Sequence, residues 1–176
     1  LSEPTPLTRD RILSLAHDSD DPMVMAGASG ILADNIWVAG DHDSRIALAV
    51  ANKLMADALI RVPDDPILRI AFVLQCFHMT SMKRVQLQSI CRRGAEAEPE
   101  TAAYVYLEAL TLREAGNDFE ALARIQEGLA KPFVSFHDVG RADTTAAFLR
   151  AAGHGVVGAR LASYRAANAD GPMKMR

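Results

Sequence analysis

Apolar positions along this chain fall into paired helical stripes separated by short polar breaks. The pattern is most regular between Pro66 and Pro132. Pro66, Pro99 and Pro132 stand at an even pitch of 33 residues, and each interval holds two apolar segments. The first reads ILRIAFVLQCFHM and then VQLQSICRRG; the second reads AAYVYLEALTL, a turn at AGND, and FEALARIQEGLA. A period of this size with two helical stripes per unit predicts a helical solenoid, because each pair can bury its apolar face only against its neighbours.

The flanks follow the same punctuation. Residues 1–7 carry two prolines and no periodicity, so they read as an extended arm, and Thr8 can cap a short helix with Ile12, Leu13, Leu15 and Ala16 as its stripe. Asp21-Pro22 is a helix start, since Asp accepts from the orphan amides and Pro has no amide to leave unpaired. Asp64-Asp65-Pro66 repeats it. The spacing predicts helices over 22–39 and 44–62, with Gly40 to Ser44 as the turn and Asp43 or Ser44 as cap. Beyond Pro132 it predicts 142–152 and 156–167, a pair able to cap the open end of a stack. The organisation expected is an arm and short helix (1–21), three helical pairs (22–135), and capping helices with a polar tail (136–176).

Small residues carry a resemblance. Ala51, Met55, Ala58 and Pro63 stand at offsets 0, 4, 7 and 12, spacing that resembles the second helix of a tetratricopeptide repeat. Residues 102–135 match best: Ala109, Gly116 at the turn, Ala121, then Ile125 and Gly128, with Gly116-Asn117-Asp118-Phe119-Glu120-Ala121 similar to the family's Gly-Asp-Tyr-Glu-Glu-Ala. The middle unit departs from it, with Met79-Thr80-Ser81-Met82 in place of a Gly turn and Cys91 and Gly94 at the packing positions. The resemblance covers roughly 22–135 and implies an all-α, right-handed helical-pair solenoid of about three repeats plus flanking helices. It implies binding of a partner peptide or helix in a concave face lined by the first helices, 22–39, 66–79 and 101–115. Trp37, Gln75, His78, Tyr104, Tyr106 and Arg113 are the candidates for that face; Tyr and Trp bring large area with one polar handle.

Composition narrows the functions. Hydrophobic residues make up 49% of the 176 and charged residues 23%, which places the chain among folded domains rather than disordered ones. A net charge of −3 argues against general nucleic-acid binding, which needs an excess of Lys and Arg. No apolar run approaches 18 residues, so no membrane insertion is expected. LSEPTPLTRD lacks the basic-then-apolar pattern of a secretory signal, and cytoplasm is the expected location. Cys76 and Cys91 both fall in apolar stripes and read as buried thiols. Size and acidity are similar to those of the small three-repeat chaperones of bacterial secretion systems.

Other constellations bear on chemistry. His137-Asp138-Val139-Gly140-Arg141 resembles the His-Asp core of HD-type metal-dependent phosphohydrolases, and the segment from Gly153 to Leu161 resembles the Gly-His segment that follows it. That resemblance implies His137, Asp138 and His154 as ligands of a divalent metal that activates water. The chain departs from the pattern: no His lies between His78 and His137, and Asp170 in the tail is the one downstream Asp left. Helix caps use the same residue types, which also accounts for Asp41-His42-Asp43. His17 stands alone. Gly27-Ala28-Ser29-Gly30 lacks the Lys of a phosphate loop, and no Gly-x-Ser-x-Gly elbow occurs. Lys83, Arg84, Arg92 and Arg93 form one basic cluster, read as a solvated face or a site for an acidic peptide. The expected function is therefore a non-enzymatic protein-interaction module (adaptor, assembly factor or chaperone) without a cofactor. A partial HD-type phosphohydrolase and a structural subunit of a larger complex are the alternatives. An uncapped end would also permit a homo-oligomer.

Overall fold

The computed structural model describes residues 7–39, 42–77 and 84–169. Among these the protein is all-α: α1 (Arg9–His17), α2 (Pro22–Ala39), α3 (His42–Arg61), α4 (Pro66–Phe77), α5 (Arg84–Ala97), α6 (Ala103–Glu114), α7 (Asp118–Leu129), α8 (Asp138–Ala151) and α9 (Val156–Ala169).

The helix starts follow the local chemistry. Thr8 accepts from the Arg11 amide through its hydroxyl, Asp21 accepts from the Met23 amide at 2.8 Å, and Asp65 accepts from the Leu68 amide at 2.9 Å. Two helices end in Schellman turns, where a left-handed glycine lets amides double back onto the last carbonyls. After α6, Gly116 (φ 82°) and Asn117 donate to the carbonyls of Arg113 and Leu112. After α8, Gly153 (φ 93°) and His154 donate to those of Arg150 and Leu149. Among the bounds that differ from the expected ones are the starts of α3 and α8. α3 already begins at His42, so Asp43 and Ser44 lie inside it and neither is the cap. α8 begins at Asp138, four residues before the expected start at 142. Its first turn gains an acid that suits the helix dipole.

The helices divide into two compact units, Leu1–Leu68 with Asp138–Arg176, and Arg69–His137. Local periodicity registers each helix pair but not the long-range packing of α2 against α8.

In the first unit α2 packs on α1, α3 and α8, and α8 packs on α9. Its core is Ile12, Ala16, Val24, Ala28, Leu32, Ala51, Phe148, Leu149, Ala152 and Ala159. Small residues set the close approaches: a Cβ on Gly27 would fall 2.2 Å from the Thr144 carbonyl oxygen. The Ser29 hydroxyl donates to the Ala51 carbonyl at 2.6 Å, and Arg11 reaches the Ala152 carbonyl at 3.1 Å.

In the second unit α6 packs on both α5 and α7. The core gathers Ile70, Val73, Cys76, Leu87, Cys91, Ala103, Tyr104 and Leu107. The interval from Pro99 to Pro132 closes on itself. The Ala102 amide donates to the Phe133 carbonyl at 2.9 Å, the Ser135 amide to the Thr101 hydroxyl at 3.0 Å, and the Lys131 ammonium to the Pro99 carbonyl at 2.7 Å. An isolated parallel bridge joins Thr101 and Phe133. The prolines are not equivalent: Pro66 opens α4, whereas Pro99 sits in a turn and Pro132 in a bend.

Candidate functional site

The second unit carries two charge clusters and one unusual surface. The first cluster centres on Glu108, in the middle of α6 and only 1% exposed. Its carboxylate accepts from Arg92 of α5 at 2.6 Å and from Arg124 of α7 at 3.0 Å; Arg124 also pairs with Glu127. Arg92 and Arg124, with Leu112, Glu120, Ala123 and Glu127, line an open cleft of ≈ 280 Å³. Both guanidinium groups are already bonded to Glu108, so the cluster joins three helices.

The second cluster centres on Glu98. It accepts from the Tyr104 hydroxyl at 2.7 Å, pairs with His137 Nε2 at 2.8 Å, and meets Arg69 at 3.5 Å. His137 adopts a left-handed backbone (φ 51°), a conformation that is uncommon for a residue with a Cβ. The contact to Glu98 and the bond from its amide to the Ser135 hydroxyl hold it there.

Burial, and then the neighbouring Glu98, push the Tyr104 phenol above its ordinary value of 10; burial pushes the Cys76 and Cys91 thiols up to about 12, with Glu108 adding at Cys91. All three groups fold in the protonated form. Their contribution to stability is therefore complete below the unfolded values, near 9 for the thiols, and is lost as pH rises towards the folded ones. Urea unfolding between pH 8 and 11 should show stability falling with a slope of up to about 1.4 kcal/mol per pH unit for each group. The slope should be shallower in Tyr104→Phe.

The unusual surface belongs to α7. Ala121 and Gly128 form its buried side, with the Tyr106 ring lying so close to Gly128 that a Cβ there would meet it at 2.3 Å. Phe119, Leu122, Ile125 and Leu129 lie together on a different side, within an arc of about 120° at 3.6 residues per turn. They are 87%, 54%, 40% and 73% exposed. Four large apolar side chains on one helix face, left uncovered among the described residues, form the kind of patch that marks an interaction surface. Glu120, Arg124 and Glu127 keep to the other edge of the helix.

The side chains of four of the expected concave-face residues are among the described ones. Tyr104 is fully buried under Gly94 and bonded to Glu98, and Gln75 is buried in α4. Tyr106 packs on Gly128, and Arg113 is exposed at the end of α6. Trp37 belongs to α2, but its side chain lies outside the described residues, as does the whole of His78. Of the basic cluster, Arg92 bonds Glu108, Arg84 pairs with Glu114 at 3.8 Å, Arg93 is exposed, and Lys83 lies outside the described residues.

The residues of the HD-type resemblance have separate local roles. His137 bonds Glu98, Asp138 opens α8 and meets Arg141 at 3.4 Å, and His154 follows the glycine of the α8 Schellman turn. Among the described residues no three His, Cys, Asp or Glu side chains cluster as metal ligands would. Asp170 lies outside them. Among the described residues no helix is long and apolar enough to cross a membrane.

The sequence reading missed the α7 stripe. Its signal was present: FEALARIQEGL carries two apolar faces, one of small residues and one of large ones. No family model, curated protein or solved structure matches the chain.

Proposed function

We propose that this protein is a non-enzymatic protein-interaction module of tetratricopeptide-like helical pairs, acting as an adaptor, assembly factor or chaperone. Its docking surface is the outer face of α7. The observation that carries this reading is the exposed stripe of Phe119, Leu122, Ile125 and Leu129 on a helix whose packing side is already satisfied by Ala121 and Gly128. Such a stripe suits an amphipathic helix, which presents anchors at i, i+3, i+4 and i+7. Burial of the partner's apolar side chains supplies the affinity, and no covalent step is involved.

This reading relocates the docking surface from the first helices to a second helix. Tyr104 and Gln75 already belong to the packed interior. The helical-pair character is supported by the burial of Ala51, Met55, Ala58, Ala109 and Ala121, small or flexible residues at the spacings of the resemblance.

The test is a pull-down with the tagged protein beside its Leu122→Asp/Leu129→Asp variant. Both changes lie on exposed positions, so the variant should fold and unfold in urea within about 0.5 kcal/mol of the parent. A stoichiometric partner held by the parent and lost from the variant is the expected result. A partner held equally by both would refute α7 as the docking face.

A further inference from the structure

We infer that the occupant of this face is the α7 of a second copy of the same chain, packed antiparallel about a twofold axis; the inference rests on the reading of α7 as a docking surface. Four observations support it.

The first is the stripe's register. Phe119, Leu122, Ile125 and Leu129 are spaced 3, 3 and 4 residues apart, so the pattern is nearly symmetric about its own midpoint. Turned end for end against itself, it sets Phe119 opposite Leu129 of the second copy and Leu122 opposite Ile125. Each large side chain then meets a large one.

The second is charge. Asp118 and Glu120 stand at the N-terminal end of α7 and Lys131 just beyond its C-terminal end. Antiparallel packing brings the acids of one copy beside the Lys131 of the other and opposes the two helix dipoles. The Lys131 bond to the Pro99 carbonyl leaves its charge intact. Parallel packing would instead set like ends together. Arg124 and Glu127, already paired with each other, lie off the stripe, so two identical faces meet without burying an unpaired charge.

The third is the mode of closure. A head-to-tail stack would cover α7 with the first helix of the same unit in the next copy, α4. Every residue of α4 is buried or half-buried, and no exposed large apolar side chain lies on it. A twofold contact uses the same patch on both copies and closes at two.

The fourth is area. Four side chains exposed to this degree present on the order of 400–500 Å² of apolar surface, within the range of the largest patches on monomers, which are often functional. That is below the roughly 800 Å² per partner of a standard interface, the size class of weak, transient contacts.

Sedimentation velocity from about 1 to 200 µM tests this, a range that spans micromolar dissociation. The expected result is a mass rising with concentration from 19.0 kDa towards twice that value, with Leu122→Asp/Leu129→Asp remaining monomeric throughout. As a second measurement, Ile125→Cys treated with oxidised glutathione should form an intermolecular disulfide, because it sits near the twofold axis; the native Cys76 and Cys91 are buried. A parent chain that stays monomeric, a dimer that survives the double Asp change, or no cross-link in a dimeric Ile125→Cys would each overturn the inference. A designed amphipathic Leu/Lys peptide separates this failure from failure of the docking surface itself. Binding of that peptide to a monomeric parent but not to the double Asp variant would retain α7 as a docking face with another occupant. If the peptide binds neither, both readings fall.

Discussion

Replacing Arg92 and Arg124 together with alanine is expected to lower stability by about 3–5 kcal/mol, the usual cost of leaving a buried charge without its partners. The reason lies in the asymmetry of exposure. The Glu108 side chain is 1% exposed, whereas those of Arg92 and Arg124 are 54% and 31% exposed. Water can solvate either arginine if the carboxylate is removed; it reaches the carboxylate poorly if the arginines are removed. Each single change should therefore cost less than half of the double one, since the remaining arginine still holds one carboxylate oxygen. Adding Glu108→Leu to the double variant should recover most of the loss, because apolar replacement of a whole buried ion cluster is often neutral. Urea unfolding of the parent and the four variants measures this. A double variant within about 1 kcal/mol of the parent would mean that Glu108 is hydrated, against the burial seen here.

The second large effect is a reversal of sign between two glycines of the same helix. Gly to Ala inside a helix ordinarily stabilises by about 1 kcal/mol. At Gly30 a Cβ would meet nothing within 4 Å, so Gly30→Ala should show that gain. At Gly27 the added carbon would fall 2.2 Å from the Thr144 carbonyl oxygen and 2.8 Å from the Phe148 Cβ. The obstacle is backbone and the root of a fully buried side chain, so nothing flexible can give way. α2 and α8 must move apart, and Gly27→Ala should cost about 2–3 kcal/mol, the range seen for overpacked cores. Thermal unfolding of the pair reads the difference directly. Two variants of equal stability would show that α2 and α8 do not approach as closely as described.

These two effects also mark what the sequence could and could not convey. Helix positions were legible because their signals are local. Asp21-Pro22 and Asp65-Pro66 start helices by hydrogen bonds within three residues, and Gly116 ends one by its own backbone freedom. The resemblance to the tetratricopeptide pattern marked Ala109, Ala121 and Gly128, which are packing positions, and also Ile125, which lies on the exposed stripe.

The candidate site was not legible, because it depends on which of two apolar faces is covered. On α7 the small residues face α6 and the large ones face outwards, and helical periodicity treats both sets alike. Tyr104 illustrates the converse. An aromatic with a polar handle suits an interface as well as a core, and only the Gly94 opening and the Glu98 acceptor decide between them. The junction at His137 was also hidden, since its partner Glu98 lies 39 residues away in sequence.

The central claim is that α7 is the docking face. Amide hydrogen exchange of the protein alone and with its captured partner, or at low and high concentration if the partner is a second copy, tests it most directly. Helices are stable where tertiary packing covers them, and an uncovered helix opens locally at low free-energy cost. The account predicts that association slows exchange across residues 118–130, with little change in α4 or α6. Protection that appeared on α4 and α6 while α7 exchanged as before would contradict it, and would return the docking surface to the first helices.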